Sequence, residues 1–306
     1  MKQTVKWLAA ALIALGLSQA VWADDVSDFR ENLQAAAQGN AAVQVVLGVR
    51  YENGQGVRQD DAEAVKWYRQ AAEQGRASAQ YSLGNMYRLG YGVRQDYAEA
   101  VKWYRLAVEQ GFTAAQNNLG LMYANGRGVR QDYAEAVKWY RLAVEQGFTA
   151  AQNNLGAMYA EGQGVRRDDA EAVKWYRQAA AQGLALAQFN LGVMYGTGEG
   201  VRQDYAEAFR WFRQAADQGL AQAQNTLGVM YAKGQGVRRN YKQAVQWYRN
   251  AAEQGDAQAQ VLLGIAYESG YGVRQDRALA QEWFGKACQN GDQDSCDNDQ
   301  RLKAGY

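Results

Sequence analysis

Along residues 112–147 the apolar positions fall at helical spacing. Ala115, Leu119, Met122 and Tyr123 stand at i, i+4, i+7 and i+8, one apolar face at a period of 3.6. A Gly at 126 and the polar run GRGVRQD interrupt the pattern. It resumes with Ala136, Trp139, Tyr140 and Ala143 on a second face and stops at Gly147. The spacing predicts two helices joined by a short turn. Gly126 ends the first, because Gly accepts the left-handed conformation at a helix C-terminus. Asp132 is the expected N-cap of the second, and Glu135 three residues on completes a capping box. The same pair recurs at Asp60/Glu63, Asp96/Glu99, Asp168/Glu171 and Asp204/Glu207, and as Asn240/Gln243.

The whole pattern recurs. Trp67, Trp103, Trp139, Trp175, Trp211, Trp247 and Trp283 are 36 residues apart, and Gly75 to Gly291 and Gly84 to Gly264 keep that step. Residues 97–120 return unchanged at 133–156. A fixed period in this range denotes an array of stacked supersecondary units. Seven units follow without insertion: 40–75, 76–111, 112–147, 148–183, 184–219, 220–255 and 256–291. Neither helix of a unit buries its stripe alone. Stacking is expected to bury Trp139, Tyr140, Leu119 and Tyr123 between neighbours, with Gly120 allowing close approach.

The shared pattern A-x-A-Q-x-x-L-G-x-M-Y-x-x-G-x-G-V-R-x-D, followed by A-x-x-W-Y-R-x-A-x-x-Q-G, resembles the Sel1-like repeat, a relative of the tetratricopeptide repeat. The resemblance covers 40–291. It implies an all-α fold, a right-handed superhelical solenoid of seven helix-turn-helix repeats. It also implies a scaffold or adaptor role in protein–protein contact, often in exported bacterial proteins. The ends depart from the pattern. Residues 24–39 read as an N-terminal capping helix with Glu31 in the place of the Trp, and 292–306 as a C-terminal capping helix with Asp299 in the place of the Leu. Arg50 takes the place of the first Met. Terminal units need polar outer faces.

Residues 1–23 read as a signal peptide: Lys2 and Lys6, the apolar run Leu8 to Leu17, then Val21-Trp22-Ala23. The run is short for a membrane span, so an uncleaved anchor is the lesser reading. Export follows, into a periplasm or out of the cell. Without those residues 31 basic side chains face 32 acidic ones, so nucleic acid is not an expected partner. The chain has no Pro and no His. A Ser–His–Asp triad, a Cys–His pair and any zinc site needing imidazole are excluded. No catalytic residue, metal ligand or cofactor is expected.

Cys288 and Cys296 are the only cysteines. On one helix they would lie ~12 Å apart, beyond disulfide reach. The QNGD stretch between them turns the chain at Gly291, so a bridge from the last repeat to the cap is expected after export. Two buried thiols are the alternative. The C-x7-C spacing resembles the cysteine-rich branch of the Sel1-like family, in which such pairs bridge neighbouring helices.

Other chemistry has ordinary readings. The Asp-rich 292–299 lacks the Gly and Glu of a calcium loop and favours a helix start instead. The G-x-G-V-R turns lack the strand and Lys of a phosphate cradle. There Val129 is expected to plug the core and Arg130 to brace the turn. A basic stripe through Lys102, Arg105, Lys138, Arg141, Lys174 and Arg177 reads as a solvated face of i,i+4 pairs such as Arg69/Glu73, Arg105/Glu109 and Arg141/Glu145.

Partner contacts are expected on the first helices. With Ala115 as the centre of the buried face, positions 117, 121 and 124 point the other way, flanked by 118. In the family this resemblance names, that side lines the concave groove. The candidate residues are Tyr81, Asn85, Arg88, Asn117, Asn118, Leu121, Asn153, Asn154, Phe189, Asn190, Val193, Asn225, Val229, Val261 and Ile265. Asparagine amides offer a donor and an acceptor to a partner backbone, and the apolar members offer a patch. Asn118 and its equivalents serve equally as braces between helices. The expected partner is a protein or extended peptide in the cell envelope or host. A weak cell-wall or β-lactam hydrolase finds no Ser-x-x-Lys arrangement here; a passive spacer is the third reading.

Overall fold

The computed structural model describes residues 29–304. The leader assigned to 1–23 and residues 24–28 of the N-terminal cap lie outside them, as do 305 and 306. The described residues are helical, with no strand among them. The chain divides into two compact units, Met1–Gln146 and Gly147–Tyr306.

In the first unit, α1 (residues 29–37) precedes α2 (Ala41–Asn53), α3 (Asp61–Glu73), α4 (Ala77–Leu89), α5 (Tyr97–Glu109), α6 (Thr113–Asn125) and α7 (Tyr133–Glu145). The second holds α8 (Thr149–Glu161), α9 (Asp169–Ala181), α10 (Ala185–Thr197), α11 (Tyr205–Asp217), α12 (Ala221–Lys233), α13 (Tyr241–Glu253), α14 (Ala257–Ser269), α15 (Arg277–Gln289) and α16 (Gln293–Lys303). Each repeat is a first helix packed antiparallel on a second, and within each unit each pair packs on the next. The fold is an all-α solenoid.

The local signals produce the helix ends. Asp132 accepts the backbone N–H of Glu135 at 2.9 Å, and Asp60, Asp96, Asp168 and Asp204 act alike. Such a cap stabilises by about 1 kcal/mol. The reciprocal half of the expected capping box is replaced by an ion pair. The Glu135 carboxylate turns forward to Lys138 at 2.7 Å, as Glu63 does to Lys66 and Glu171 to Lys174. Gly126 closes α6 with φ 64°.

Stacking buries the aromatic positions as the repeat requires. Tyr140 and Leu119 are buried in the first unit, and Trp139 packs against the core of the α5–α6 pair before it. Trp103 likewise enters the α3–α4 core, Trp211 the α9–α10 core and Trp247 the α11–α12 core. Each of these four tryptophans is thus a wedge between its own repeat and the preceding one. Their indole N–H groups are buried without a hydrogen-bond partner. That costs about 1–3 kcal/mol each, and burial of about 150–250 Å² of ring outweighs it. Gly120 permits a close helix approach: a Cβ there would lie 2.6 Å from the Tyr140 ring, and one at Gly48 or Gly228 2.4 Å from the equivalent ring.

A second set of contacts was not foreseen. The Gln of each A-x-A-Q stretch is buried on the first helix. In Gln80, Gln188, Gln224 and Gln260 the Nε2 donates back to the preceding repeat, as Gln80 to the Ala72 carbonyl at 3.2 Å and Gln224 to that of Ala216 at 3.2 Å. The Oε1 of each accepts from the amide that ends the second helix of its own repeat, as Gln80 from Gln110 at 2.8 Å, Gln224 from Gln254 at 2.7 Å and Gln260 from Asn290 at 2.9 Å. These rungs satisfy a buried amide and fix the register between repeats.

Two turn assignments change. Val129 does pack against the core, but the bracing bonds to carbonyls come from Gln131, not Arg130. Gln131 Nε2 donates to the Ala124 carbonyl at 2.8 Å, and Gln95, Gln203 and Gln275 repeat the bond. Two of the arginines expected to pair with Glu four residues on go elsewhere. Arg69 donates to the Tyr87 hydroxyl at 2.6 Å and Arg105 to that of Tyr123 at 2.9 Å, tying each second helix to the next first helix.

Candidate functional site

The second helices carry the charge of the surface: the Lys–Glu pairs above, Arg210–Glu207 and Arg213–Asp217. The first helices of the repeats differ. Their charged residues are Arg50, Glu52, Arg88, Glu161, Lys233 and Glu268, each within the last four positions of its helix. α6 and α10 carry none.

The open arc of a first helix runs through positions such as Ala114, Asn118, Leu121 and Asn125, spaced by 4, 3 and 4. In the first unit it presents Val46 (44 % exposed), Val49, Leu89 and Leu121 (37 %), with half-buried Ser82, Asn85 and Asn118 among them. In the second unit it presents Leu186 (43 %) and Ile265 (40 %), with half-buried Asn154, Asn190, Val193, Thr226 and Val229.

This arc is turned about 90° from the one expected, as the 3.6-residue period gives it. Asn117, Asn153 and Asn225 are only 4–6 % exposed and do not belong to it. The buried face centres on Gln116 and Gly120, flanked by Ala115 on one side and Asn117 on the other. α6 has α5 on one side and α7 on the other, which closes off position 117. Tyr81 and Phe189 are half-buried in packing: Tyr81 lies 5.1 Å from Phe112 and Phe189 5.4 Å from Phe212, ring centre to ring centre. Val261 packs partly against the terminal core. Val46, Val49, Leu89 and Leu186 belong to the arc and were missed. Their signal was the spacing of positions 114, 118, 121 and 125 once Gln116 is taken as core.

The asparagines brace neighbouring helices. Asn118 Nδ2 donates to Asn85 Oδ1 at 3.0 Å, and the Tyr104 hydroxyl donates to the same oxygen at 2.7 Å. Arg88 Nε donates to the Tyr104 hydroxyl at 3.2 Å. Burial raises the Tyr104 phenol above its ordinary range, against the opposing pull of Arg88. In the second unit Asn190 donates to Asn153 Oδ1 at 3.0 Å. Asn225 donates to Gln258 at 3.2 Å, but its own Oδ1 is buried with no partner. The donor of the Asn190–Asn153 bond sits 37 residues after its acceptor; the same step from Asn225 reaches Leu262, which has none to give.

Shallow recesses open where a first helix, its turn and the next helix meet. One is lined by Arg105, Tyr123, Val129, Arg130, Gln131 and Asp132, and others by the equivalents at Tyr87–Glu99 and Tyr267–Leu279. In each, the aspartate is the N-cap of the second helix. Cys288 and Cys296 form the expected disulfide between α15 and α16. Among the described residues no helix is long and apolar enough to cross a membrane.

The Sel1 repeat model matches residues 41–75, 77–112, 113–148, 149–184, 185–220, 221–256 and 257–292. No curated protein matches the chain. Among solved structures, a protective antigen of uropathogenic Escherichia coli strains displaying an SLR fold is 43% identical, with a TM-score of 0.71. The match covers 89% of this chain but 58% of that one, so this chain spans less than two thirds of that relative. A Sel1 repeat protein from Oxalobacter formigenes is 34% identical over 89% of this chain and 79% of that chain, with a TM-score of 0.74. Yeast Tom70, at 13% identity and a TM-score of 0.54, covers 92% of this chain and 57% of its own and shares the fold alone. Seven matched repeats and relatives above a third identity place the chain in the Sel1 repeat family, whose members typically serve as protein-interaction scaffolds.

Proposed function

We propose that the chain is an exported scaffold that holds a protein or extended peptide against the first helices of its repeats. The observation that carries this reading is the contrast between the two sides of each repeat. The second helices are studded with ion pairs. The open arc of the first helices is uncharged until its last turn and exposes Val46, Val49, Leu89 and Leu121 in one unit and Leu186 and Ile265 in the other. A row of exposed apolar side chains interleaved with amides suits a partner segment of low charge. Apolar contacts supply affinity, and the half-buried amides along the arc, a donor and an acceptor in each, suit the backbone of a partner segment. Export is supported by the leader-like residues 1–23 and by the disulfide, which persists in oxidising compartments. The partner belongs to the envelope or the host.

Charge on this arc tests the reading. Leu121→Glu and Ile265→Glu place a carboxylate among apolar neighbours at exposed positions. Each is expected to weaken capture of the partner from an envelope or host extract at least about tenfold if a buried interface forms there. Melting should stay within about 1 kcal/mol of wild type, because neither side chain is in a core. Unaltered capture by both variants would contradict the proposal.

A further inference from the structure

The disulfide occupies a particular place in the repeat. In five repeats the buried Gln donates to the carbonyl of an Ala eight residues earlier: Gln44 to Ala36, Gln80 to Ala72, Gln188 to Ala180, Gln224 to Ala216 and Gln260 to Ala252. One further step of 36 from Gln260 and Ala252 lands on Cys296 and Cys288. These two are eight residues apart and bonded, with 4.8 Å between their Cα atoms. The terminal rung is therefore covalent where the others are hydrogen bonds.

The helix held by that rung has little else to hold it. α16 stands where the next first helix would be, but Asp299 replaces the buried Leu263 and Gln300 replaces Gly264. Ser295 is its one buried residue, against six in α14. Leu302 packs partly against the terminal core, and Arg301 pairs with Glu268 at 2.6 Å in an exposed setting. An exposed pair contributes at most about 1 kcal/mol. Cys288 and Cys296 are only half-buried, within reach of a small thiol.

We propose that the Cys288–Cys296 bond is a redox latch on the terminal helix: oxidised, it docks α16 against α14 and α15; reduced, it releases α16 while the repeats stay folded. The reductant is a dithiol. One thiolate attacks a cysteine sulfur and breaks the S–S bond, leaving a mixed disulfide. Its second thiol then displaces the remaining cysteine, giving two cysteine thiols and one oxidised cyclic disulfide, a two-electron exchange.

Amide hydrogen exchange of the full chain tests this, with and without dithiothreitol. A second protein, Cys288→Ala/Cys296→Gln, restores the residues of the interior rung. In the wild type, reduction is expected to speed exchange across 293–303 by roughly tenfold to a hundredfold, the loss of a short-ring cross-link, and to leave 149–289 unchanged. The double variant should ignore dithiothreitol and exchange more slowly over 293–303 than the reduced wild type. Three results would overturn the latch. Exchange over 293–303 unchanged by reduction means that packing alone holds α16. Loss of protection across the whole second unit means a global staple. A double variant as fast as the reduced wild type means that the coincidence of position has no energetic meaning.

Discussion

Between pH 10 and about 12 the helices are expected to melt cooperatively, and the first unit before the second. The cause is a set of tyrosines repeated in the core. Burial raises the phenols of Tyr68, Tyr104, Tyr140 and Tyr176 above the ordinary value of 10.0 and pushes that of Tyr248 up to about 12. At Tyr68 a hydrogen bond to Glu52 adds to burial. A folded-state pKa above the unfolded one leaves stability intact below pH 10 and drains it as the pH rises toward the folded value. Above pH 10 the unfolded chain ionises and the folded one does not. Each such tyrosine then costs about 1.4 kcal/mol per pH unit. The first unit holds three of the five. In the second, Phe212 and Phe284 stand at the corresponding places and do not titrate. Phenolate absorbance and helical circular dichroism followed together against pH check this. Ionisation of all tyrosines near pH 10 with helices intact would contradict it.

Gly128→Ala is expected to cost about 3 kcal/mol or more, and Gly111→Ala only about 1 kcal/mol. Both glycines have positive φ, 72° and 75°, which an L side chain adopts at a cost of about 1–2 kcal/mol. The difference is space. A Cβ on Gly111 meets nothing within 4 Å, whereas one on Gly128 would lie 2.2 Å from the Tyr97 carbonyl oxygen. That oxygen belongs to the first turn of α5 in the preceding repeat, so the clash is with backbone and cannot be relieved by a rotamer change. Gly92, Gly200, Gly236 and Gly272 meet the same obstacle. In these five turns the second Gly of G-x-G is therefore a contact between repeats. Chemical denaturation of the two variants separates turn conformation from stacking. Equal losses would show that the turn does not hold neighbouring repeats together.

The repeat was legible because every position returned at a fixed step. Trp139, Gly126 and Asp132 had places that single occurrences would not have given them. The open arc was misread because polarity was taken as exposure. Gln116 and Asn117 are polar yet buried, and the Gln116 amide oxygen accepts from Gln146, 30 residues on. Nothing within one helix reveals such a partner. The arginine pairs failed for a like reason. Glu73 is four residues from Arg69, but the Tyr87 hydroxyl arrives from the next repeat and takes the guanidinium. The disulfide was visible as two cysteines across a turn. Its identity as a rung needed the hydrogen bonds of the interior repeats for comparison.

Site-specific photo-crosslinking tests the scaffold reading most directly. A photoreactive residue is placed in turn at Leu121 and Ile265 on the first helices and at Lys138 and Arg210 on the second, all exposed. In the native envelope or with host extract, the first two positions are expected to capture a discrete protein partner and the other two to give background alone. Capture from Lys138 and Arg210, with none from Leu121 or Ile265, would contradict the account.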